Sequence, residues 1–379
     1  MKRPARLDRL PEQYFMRLLA RVQEEAVRDG EPLVDLGRGN PDIPPPAHVV
    51  EALVASARES TTAVHGYAPF SGLKELREAI AARYASVYGV VLDPDAEIAV
   101  VPGTKTALTE VVLALAEPGD TVLLPDPYYP DYPSGIALAG ARLGLLPLDH
   151  ERGYAPSFDL APRESVAAVF LNYPSNPTAA AAPDGAFAAA IAFARETGAT
   201  IIHDFAYGDL VFDGRTPRSF LAEPGAREVG VELFSMSKSY GMAGWRLGFV
   251  AGNAELVARI GLLQDHARAG IFTPVQRAGI AALAGPQDTV AERVAVYERR
   301  RDRVVAALGE SCAPCEGTFY VWLRLPEGLT PERLLSEHRL AVAPGEGFGP
   351  SGVGWARISL ATPDDLIDLG LERLLGAFP

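Results

Sequence analysis

One lysine of this chain lies in a setting suited to covalent chemistry. Lys238 is surrounded by small hydroxyl and glycine residues, and Arg246 follows it by eight positions. An amine attacks a carbonyl only in its unprotonated form, which desolvation or neighbouring cations favour. The hydroxyls of Ser235 and Ser237 and the Arg246 guanidinium are the donors that a phosphate beside this lysine would need. This stretch alone is equally consistent with a surface lysine in a glycine-rich turn.

A second candidate for phosphate binding follows a short apolar strand. Residues 98–101 are predicted to form a buried strand, and Gly103-Thr104-Lys105 leads from it into an apolar helix. The N-terminus of a helix offers free amides and the positive end of its dipole to an anion. The glycine-rich Walker pattern is absent here. An anion site is therefore one interpretation, and a plain connecting turn is the other.

Further polar residues stand in or next to loops. Tyr129 belongs to a tyrosine-rich turn whose rings could stack on a planar ligand or simply plug a loop. Asn176 precedes a proline just past a strand, where a cis peptide bond is a candidate. Asp204 ends another strand, and Tyr207 follows three residues later. Tyr67 lies in an irregular stretch, where its hydroxyl could reach a polar partner or its ring could pack.

The middle of the chain alternates strands with helices. The predicted strands span residues 98–101, 120–124, 142–148, 166–171, 200–204 and 231–234. Polar motifs follow their carboxyl ends repeatedly, and parallel sheets bind ligands at those ends. The pattern therefore predicts an α/β fold with a mostly parallel central sheet, helices on both of its faces and a ligand site at one edge.

The length of the chain predicts two domains. At 379 residues it exceeds the usual size of a single domain, and its pattern changes after about residue 285. The large α/β domain is predicted to span residues 45–285. A smaller α+β domain is predicted to combine residues 1–44 with residues 286–379. Its first helix is expected over residues 7–30, with Gly30 as the stop signal.

Composition narrows the class of protein. The net charge of −13 argues against non-specific binding to nucleic acid. No apolar run is long enough to span a membrane, and the basic N-terminus lacks the apolar segment of a secretory signal, so a cytoplasmic protein is expected. Cys312 and Cys315 have no second ligand pair, and no two histidines have metal-ligand spacing. Reduced cysteines and no metal site are therefore predicted.

Together these residues meet the needs of one cofactor, pyridoxal 5′-phosphate (PLP). Lys238 would form a Schiff base with its aldehyde and later carry protons at the substrate α-carbon. Asp204 would keep the ring nitrogen protonated through its opposite charge. Tyr207 and Asn176 would donate to the phenolic oxygen, and Tyr129 would stack on the ring. The phosphate donors are expected among Gly103, Thr104, Lys105, Ser235, Ser237 and Arg246.

The order of the motifs resembles a known family. From one end to the other the chain carries G-N-P-D, Y-x-P-x-x-G-x-x-x-L-R, P-G-D-x-V-L, P-D-P-x-Y-P-x-Y, N-Y-P-x-N-P-T, H-D-x-A-Y, S-x-S-K, G-W-R-x-G-F, G-T-F-Y-x-W and R-I-S-L-A. Over nearly its whole length the sequence resembles the class I/II aminotransferases, the aspartate aminotransferase superfamily of PLP fold type I.

The resemblance implies an activity and further site residues. An aminotransferase moves an amino group between an L-amino acid and a 2-oxo acid, here through a Schiff base on Lys238. Arg357 is then expected to bind the substrate α-carboxylate, with help from Gly39 and Asn176. Tyr67 is expected to reach the phosphate in the neighbouring subunit, so that a homodimer shares its active sites.

Within the superfamily two bacterial groups are the most similar. One acts on 4-methylthio-2-oxobutyrate, and the other acts on LL-diaminopimelate and its acyl derivatives. This chain departs from both, with Ala179 where glycine is usual and Tyr128 in the tyrosine-rich turn. Tyr128 is expected to add bulk near the cofactor face. The resemblance allows Arg268 to recognise a distal carboxylate of the substrate in the neighbouring subunit. The alternative is a solvated arginine at a helix end.

Two other functions fit the same motifs. Lyases, γ-eliminating or γ-replacing enzymes and cyclases use this fold and these residues, including relatives of 1-aminocyclopropane-1-carboxylate synthase that act on S-adenosylmethionine. The bond that breaks at the α-carbon depends on side-chain pockets that motifs do not reveal. A PLP-dependent regulator domain is the non-enzymatic alternative. The acidic chain carries no DNA-binding module before residue 30, which argues against it.

Overall fold

The computed structural model describes residues 3–28 and 31–378. Thirteen strands lie in these residues and are numbered in chain order. They are β1 (Val34–Asp35), β2 (Ile98–Val101), β3 (Thr121–Asp126), β4 (Arg142–Asp149), β5 (Ala155–Pro156), β6 (Val166–Asn172), β7 (Thr200–Asp204), β8 (Gly230–Ser235), β9 (Gly248–Gly252), β10 (Tyr320–Arg324), β11 (Leu340–Ala341), β12 (Ala343–Pro344) and β13 (Trp355–Ser359).

The α-helices are numbered in the same way. They are α1 (Ala5–Asp8), α2 (Tyr14–Ala26), α3 (Ala47–Ala57), α4 (Thr62–His65), α5 (Lys74–Arg83), α6 (Thr104–Leu113), α7 (Tyr132–Ala139), α8 (Ala186–Thr197), α9 (Ala226–Val229), α10 (Met236–Ser239), α11 (Ala254–Ala267), α12 (Thr273–Ala284), α13 (Asp288–Leu308), α14 (Pro331–Glu337) and α15 (Asp364–Ala377). A π-helical turn, Tyr84–Tyr88, continues α5. No helix in the described residues has both the length and the apolar character needed to cross a membrane.

Eight strands form the central sheet in the order β2-β9-β8-β7-β6-β3-β4-β5. The five strands from β8 to β4 run parallel, whereas β9 is antiparallel to both of its neighbours. Because β2 and β8 are both antiparallel to β9, they run in the same direction as each other. The carboxyl ends of β2, β3, β6, β7 and β8 therefore meet at one edge, as the sequence pattern predicted.

Apolar helices cover both faces of this sheet. One apolar cluster joins the sheet to α5, α8 and α12, and a second joins its other face to α6, α7 and α11. Residues of β3, β6, β7 and β8 are almost all buried. Burying each large aliphatic or aromatic side chain contributes about 1.5–3 kcal/mol, so the sheet is a rigid platform for its polar edge.

Strand β9 was not predicted from the sequence. It begins and ends with glycine, Gly248 and Gly252, which weakens the usual pattern of a strand. Its place between β2 and β8 is set by pairing along its length, for example Val250 with Leu233. Only the tertiary pairing makes this glycine-bounded stretch a strand.

A second region pairs the two ends of the chain. Strands β10, β13 and β12 form an antiparallel sheet, and β1 pairs with β11 through Val34 and Leu340. The N-terminal segment thus packs with the C-terminal part. These pairings support the proposed division into one domain of residues 45–285 and another that combines residues 1–44 and 286–379.

The N-terminal helix is shorter than the predicted span of residues 7–30. The chain forms α1, breaks around Pro11, and begins α2 where the Gln13 side chain accepts a hydrogen bond from the Met16 amide at 2.8 Å. Proline cannot donate the amide hydrogen bond of a continuing helix, so Pro11 separates α1 from α2. The Gln13 side-chain cap then favours the start of a second helix. The predicted stop, Gly30, lies outside the described residues.

Candidate active site

A cavity of about 340 Å³ lies at the carboxyl edge of the central sheet. Its floor is formed by residues at the carboxyl ends of β2, β6, β7 and β8, and its roof by α2 together with Arg357 of β13. Nine of the predicted residues line it: Gly39, Thr104, Lys105, Tyr129, Asn176, Asp204, Tyr207, Lys238 and Arg357. The strand ends and the returning C-terminal region therefore meet at one site.

Lys238 belongs to α10, directly after β8. Its Nζ lies 5.2 Å from the centroid of the Phe319 ring and 5.5 Å from that of Tyr207. Burial and then the positive charge of Arg357 lower the pKa of the Lys238 amine to about 8, although Asp204 opposes the shift. A lysine in these surroundings supplies a free amine at mildly alkaline pH.

Asp204 is held at the end of β7 by hydrogen bonds to both carboxylate oxygens. The Tyr132 hydroxyl donates to Oδ2 at 2.8 Å, and the Ala206 amide donates to Oδ1 at 3.1 Å. The Asn172 side chain donates to the Asp204 backbone carbonyl at 2.8 Å. Burial raises the pKa of Asp204 above its usual value, although the Tyr132 and Ala206 donors and the nearby charges of His203 and Lys238 oppose the rise. The carboxylate therefore has one fixed orientation.

Arg357 is almost fully buried in the roof. Its two terminal nitrogens donate to Asn176 Oδ1 at 2.7 Å and to the Gly37 carbonyl at 3.1 Å. Its guanidinium carbon lies 4.0 Å from the ring centroid of Tyr320 and 4.9 Å from that of Phe348. Among the described residues its buried Nε has no hydrogen-bond partner. A donor is therefore left for an anionic ligand.

Tyr320 joins the floor to the roof. It accepts a hydrogen bond from the Tyr207 hydroxyl at 3.1 Å while its ring supports Arg357. A Cβ on residue 39 would clash with the Tyr320 hydroxyl, so glycine is required there. The predicted residues Gly39, Tyr207 and Arg357 are thus positioned by a residue that carried no predicted role.

Most of the predicted phosphate donors lie around the starts of α6 and α10, next to the cavity wall formed by Thr104 and Lys105. Gly103 precedes α6 with a φ of 79°, and a Cβ there would clash with the Arg246 guanidinium. Glycine therefore lets the guanidinium lie against the backbone at the start of α6, beside Thr104. The Ser235 hydroxyl begins α10 by accepting from the Ser237 amide at 3.3 Å. Amides, hydroxyls and a guanidinium are the chemistry that holds a phosphate.

Lys105 and Tyr129 share a partner in Asp131. The Lys105 ammonium lies 2.9 Å from Asp131 Oδ2, and the Tyr129 hydroxyl donates to the same oxygen at 2.7 Å. The Gln13 side chain donates to Oδ1 at 2.6 Å. Asp131 therefore ties the start of α2 to the floor and pairs the charge of Lys105.

The sequence profile of the family described as aminotransferase class I and II matches residues 31–374. The chain belongs to this family. Its relatives include the L-glutamine–4-(methylsulfanyl)-2-oxobutanoate aminotransferase of Bacillus subtilis, 41% identical over 97% of this chain and 94% of that protein. An LL-diaminopimelate aminotransferase of Dehalococcoides mccartyi is 37% identical over 99% of this chain and 98% of that one. The substrate-bound structure of BacF from Bacillus subtilis superposes with a TM-score of 0.93 at 38% identity, over 100% and 98% of the two chains.

This aminotransferase has PLP fold type I and depends on PLP. It transfers amino groups between amino acids and oxo acids. The residues present fit the cofactor, because Gly103 leaves space for Arg246 at the start of α6 and Asp204 offers a fixed carboxylate. An amine at Lys238 lies on the same cavity wall.

Five predicted residues lie outside the cavity wall. They are Tyr67, Gly103, Ser235, Ser237 and Arg246. The last four surround the start of α6 and α10, as described above. Tyr67 differs, because 92% of its surface is exposed. Within one chain it does not reach the cavity.

Tyr128 does not add bulk at the cavity, contrary to the prediction. Its ring packs against Gly349, and its amide donates to the Phe348 carbonyl at 2.7 Å. The residue after Tyr128, Tyr129, lines the cavity instead. Ala179 has a φ of 59°, in the left-handed region that glycine favours. The glycine-to-alanine departure therefore places a strained residue after the Asn176 turn.

Arg268 is not the solvated arginine at a helix end that one of the two predictions expected. It lies within the fold, with its Nε 3.4 Å from Glu110 and a terminal nitrogen donating to the Val100 carbonyl at 3.1 Å. The solvated alternative is therefore wrong, and recognition of a substrate carboxylate in the neighbouring subunit stays a prediction. Packing of α11 on α6 pairs it with Glu110, which sequence spacing could not show.

Some site residues carried no predicted role. They are Phe15, Asp35, Tyr132, Asn172 and Tyr320. All except Asp35 belonged to a motif or helix that the sequence singled out, and Tyr132 and Asn172 share motifs with the assigned residues Tyr129 and Asn176. Asn172 could have been assigned from the sequence, because it directly follows a predicted strand and parallel sheets bind ligands at the carboxyl ends of their strands. Which neighbour each side chain contacts depends on tertiary packing.

Proposed function

We propose that Lys238 is the base and acid of the amino-group transfer. Its Nζ would take the proton from the substrate α-carbon as a base and hold it for return as an acid. The observation that carries this assignment is the convergence of Lys238, Asp204 and Arg357 on one cavity. The lowered pKa of Lys238 supports it, because a base must be unprotonated when it accepts a proton.

The assigned residues would hold the cofactor by its ring nitrogen, its phenolic oxygen and its phosphate. Bound PLP supplies an electron-accepting ring that stabilises negative charge at the substrate α-carbon. Asp204 would keep its ring nitrogen protonated. Asn176 would donate to its phenolic oxygen, and Tyr207 would do so by turning its single hydroxyl proton away from Tyr320. Because Asn176 Oδ1 accepts from Arg357, its NH₂ group is the donor. The phosphate would be held by Gly103, Thr104, Ser235, Ser237 and Arg246, which lie around the starts of α6 and α10.

Arg357 binds the substrate α-carboxylate. Its Nε is buried without a partner among the described residues, and two aromatic rings hold the guanidinium plane. A carboxylate can satisfy the Nε and an adjacent terminal nitrogen together, in the bidentate manner typical of arginine. The bound amino acid is then fixed with its α-carbon on the Lys238 side of the cavity.

The roof favours an uncharged substrate side chain. Phe15, Leu18, Leu19 and Val22 of α2 line it, and their apolar surface favours side chains such as those of methionine, glutamine or phenylalanine. The Bacillus subtilis relative named for glutamine and 4-(methylsulfanyl)-2-oxobutanoate agrees with this class. A second candidate is LL-diaminopimelate, because Asp35 and Arg38 also line the cavity and could pair with its distal ammonium and carboxylate.

A homodimer with shared sites accounts for Tyr67. An aromatic side chain that is 92% exposed is unusual on a monomer. Two more exposed rings lie close by: Phe70 (39%), three positions further along the chain, and Phe272 (49%), which contacts the ring of His65. We propose that a second copy covers them and that Tyr67 donates to the phosphate in that copy. Sedimentation would show a dimer, and Tyr67→Phe would weaken PLP binding. A monomer with full PLP affinity would contradict this.

A single-turnover assay tests the site and the substrate class. Holoenzyme is mixed with glutamine, methionine, phenylalanine, aspartate or LL-diaminopimelate, and pyridoxamine phosphate and the matching oxo acid are measured. We expect the uncharged amino acids to react at least about tenfold faster than aspartate. Fastest reaction with LL-diaminopimelate would favour the second candidate. No oxo acid from any amino acid would refute the assigned site.

A further inference from the structure

A buried polar cluster adjoins Asp204 on β7. His203 precedes Asp204, and neighbouring residues of a strand point to opposite faces of the sheet. The His203 ring packs 5.0 Å from Phe187 and from Phe205 in the first apolar cluster, whereas Asp204 contacts Tyr132 of the second. His203 and Glu232 of β8 are both fully buried. A titratable pair thus lies one residue from the carboxylate assigned to the cofactor.

The partners of His203 identify where its protons are. Its Nε2 lies 3.0 Å from the Tyr173 backbone carbonyl, and its Nδ1 lies 2.8 Å from Glu232 Oε2. A carbonyl oxygen only accepts hydrogen bonds, so Nε2 carries a proton. The state of Nδ1 then depends on whether Glu232 is ionised.

Glu232 is surrounded by donors. The Tyr84 hydroxyl donates to Oε1 at 2.7 Å, the Ser219 hydroxyl to Oε1 at 2.9 Å, and the Phe220 amide to Oε2 at 2.8 Å. Three donors besides the imidazole stabilise the anionic form of a buried carboxyl. An ionised Glu232 accepts, so Nδ1 carries a proton as well.

We propose that His203 is an imidazolium paired with the Glu232 carboxylate, and that the two are positioning residues for Asp204. The inference rests on the proposed role of Asp204. Buried charges persist when they are paired and hydrogen-bonded on every side, as these are.

The pair acts on Asp204 through charge and through the backbone. The positive His203 ring opposes the effect of burial on the pKa of Asp204 and so favours its anionic form. His203 Nε2 also holds the Tyr173 carbonyl, next to Asn172, whose side chain donates to the Asp204 carbonyl. Replacement of the His203 side chain therefore both loosens the β6–β7 edge and removes a charge beside Asp204.

Nuclear magnetic resonance of the holoenzyme with ¹⁵N-labelled histidine tests the protonation state. We expect one of the six histidines to show two protonated ring nitrogens that persist from about pH 6 to about pH 9, whereas a solvated ring loses its charge over that range. Tyr84→Phe should shift this signal, because Tyr84 shares Glu232 with His203, and so assigns it. An unprotonated ring nitrogen in the signal that Tyr84→Phe shifts would overturn the proposal.

Binding of PLP to apoenzyme variants tests the link to Asp204. We expect His203→Gln to weaken PLP about tenfold, the equivalent of one pKa unit at Asp204, and to lower kcat with little change in the KM for the amino acid. Tyr84→Phe keeps both charges and should change affinity less than about twofold. Wild-type PLP affinity in His203→Gln, with a clear loss in Asp204→Asn, would overturn the inference about His203 and leave the proposed role of Asp204 standing.

Two further outcomes separate the inference from the proposed function. If Asp204→Asn also binds PLP as the wild type does, the assigned role of Asp204 fails, and the inference fails with it. If His203→Gln does not fold, the ¹⁵N measurement on the wild-type holoenzyme still decides the protonation state.

Discussion

The floor of the cavity and its roof satisfy their polar groups in opposite ways. On the floor both oxygens of Asp204 already accept hydrogen bonds, from Tyr132 and Ala206. In the roof Arg357 is held by aromatic rings and by two acceptors, yet its buried Nε has no partner among the described residues. The carboxylate of the floor has its hydrogen bonds without a ligand, whereas the arginine of the roof keeps one donor for a ligand.

This difference teaches which ligand each region serves. A preorganised carboxylate suits a cofactor that stays through every cycle, because no reorganisation is needed at each turnover. An open donor between aromatic rings suits a carboxylate that binds and leaves. Changes in the floor should therefore affect cofactor binding and the chemical step, and changes in the roof should affect substrate binding alone.

The largest effect is expected at Lys238. Lys238→Ala removes both the covalent partner of the cofactor and the proton carrier, so kcat should fall by about 10⁴-fold or more. Turnover and the visible absorbance of the bound cofactor measure this. Lys74→Ala, an exposed lysine near Glu78, is the control and should keep full activity. Comparable turnover in both variants would contradict the assignment.

Asp204→Asn tests the floor without removing a hydrogen-bonding side chain. The amide cannot stabilise a protonated ring nitrogen by charge, so kcat should fall by about 10³-fold. Steady-state kinetics with saturating cofactor measures the loss. A change confined to the KM for the amino acid would contradict the division between floor and roof.

Arg357→Lys tests the roof. Lysine cannot reproduce the bidentate fork, so the KM for the amino acid should rise by about 100-fold while PLP affinity stays the same. Arg324→Lys on the exposed end of β10 is a matched control in the same sheet. Loss of PLP from the Arg357 variant would show that the roof also holds the cofactor.

The smallest effect is a pH dependence of cofactor uptake. Burial and Arg357 lower the pKa of Lys238 to about 8 in the protein without cofactor. Only the unprotonated amine reacts with an aldehyde, so the rate of PLP uptake by apoenzyme should rise about tenfold between about pH 7 and about pH 9. Stopped-flow absorbance measures it. A rate that falls with rising pH over this range would contradict the lowered pKa.

Much of the floor could be predicted from the sequence. Asp204, Asn176 and Lys238 stand next to predicted strands, and the carboxyl ends of parallel strands share one edge. The side chains that orient them were harder to predict. Tyr132 contacts Asp204 across 72 positions of sequence, a pairing that follows from the packing of α7 on the sheet.

The sequence by itself determined the alternation of strands and helices and the residues that could take part in catalysis or binding. The order of its motifs also determined the family. Local periodicity and motif spacing are properties of neighbouring residues, and they survive without a fold. Tertiary structure alone decided that Arg357 meets Asn176 across 181 positions, that Arg268 is paired with Glu110, and that Tyr128 lies away from the cavity. Such contacts depend on how whole elements pack, because each side chain takes the partner that the finished fold brings within reach.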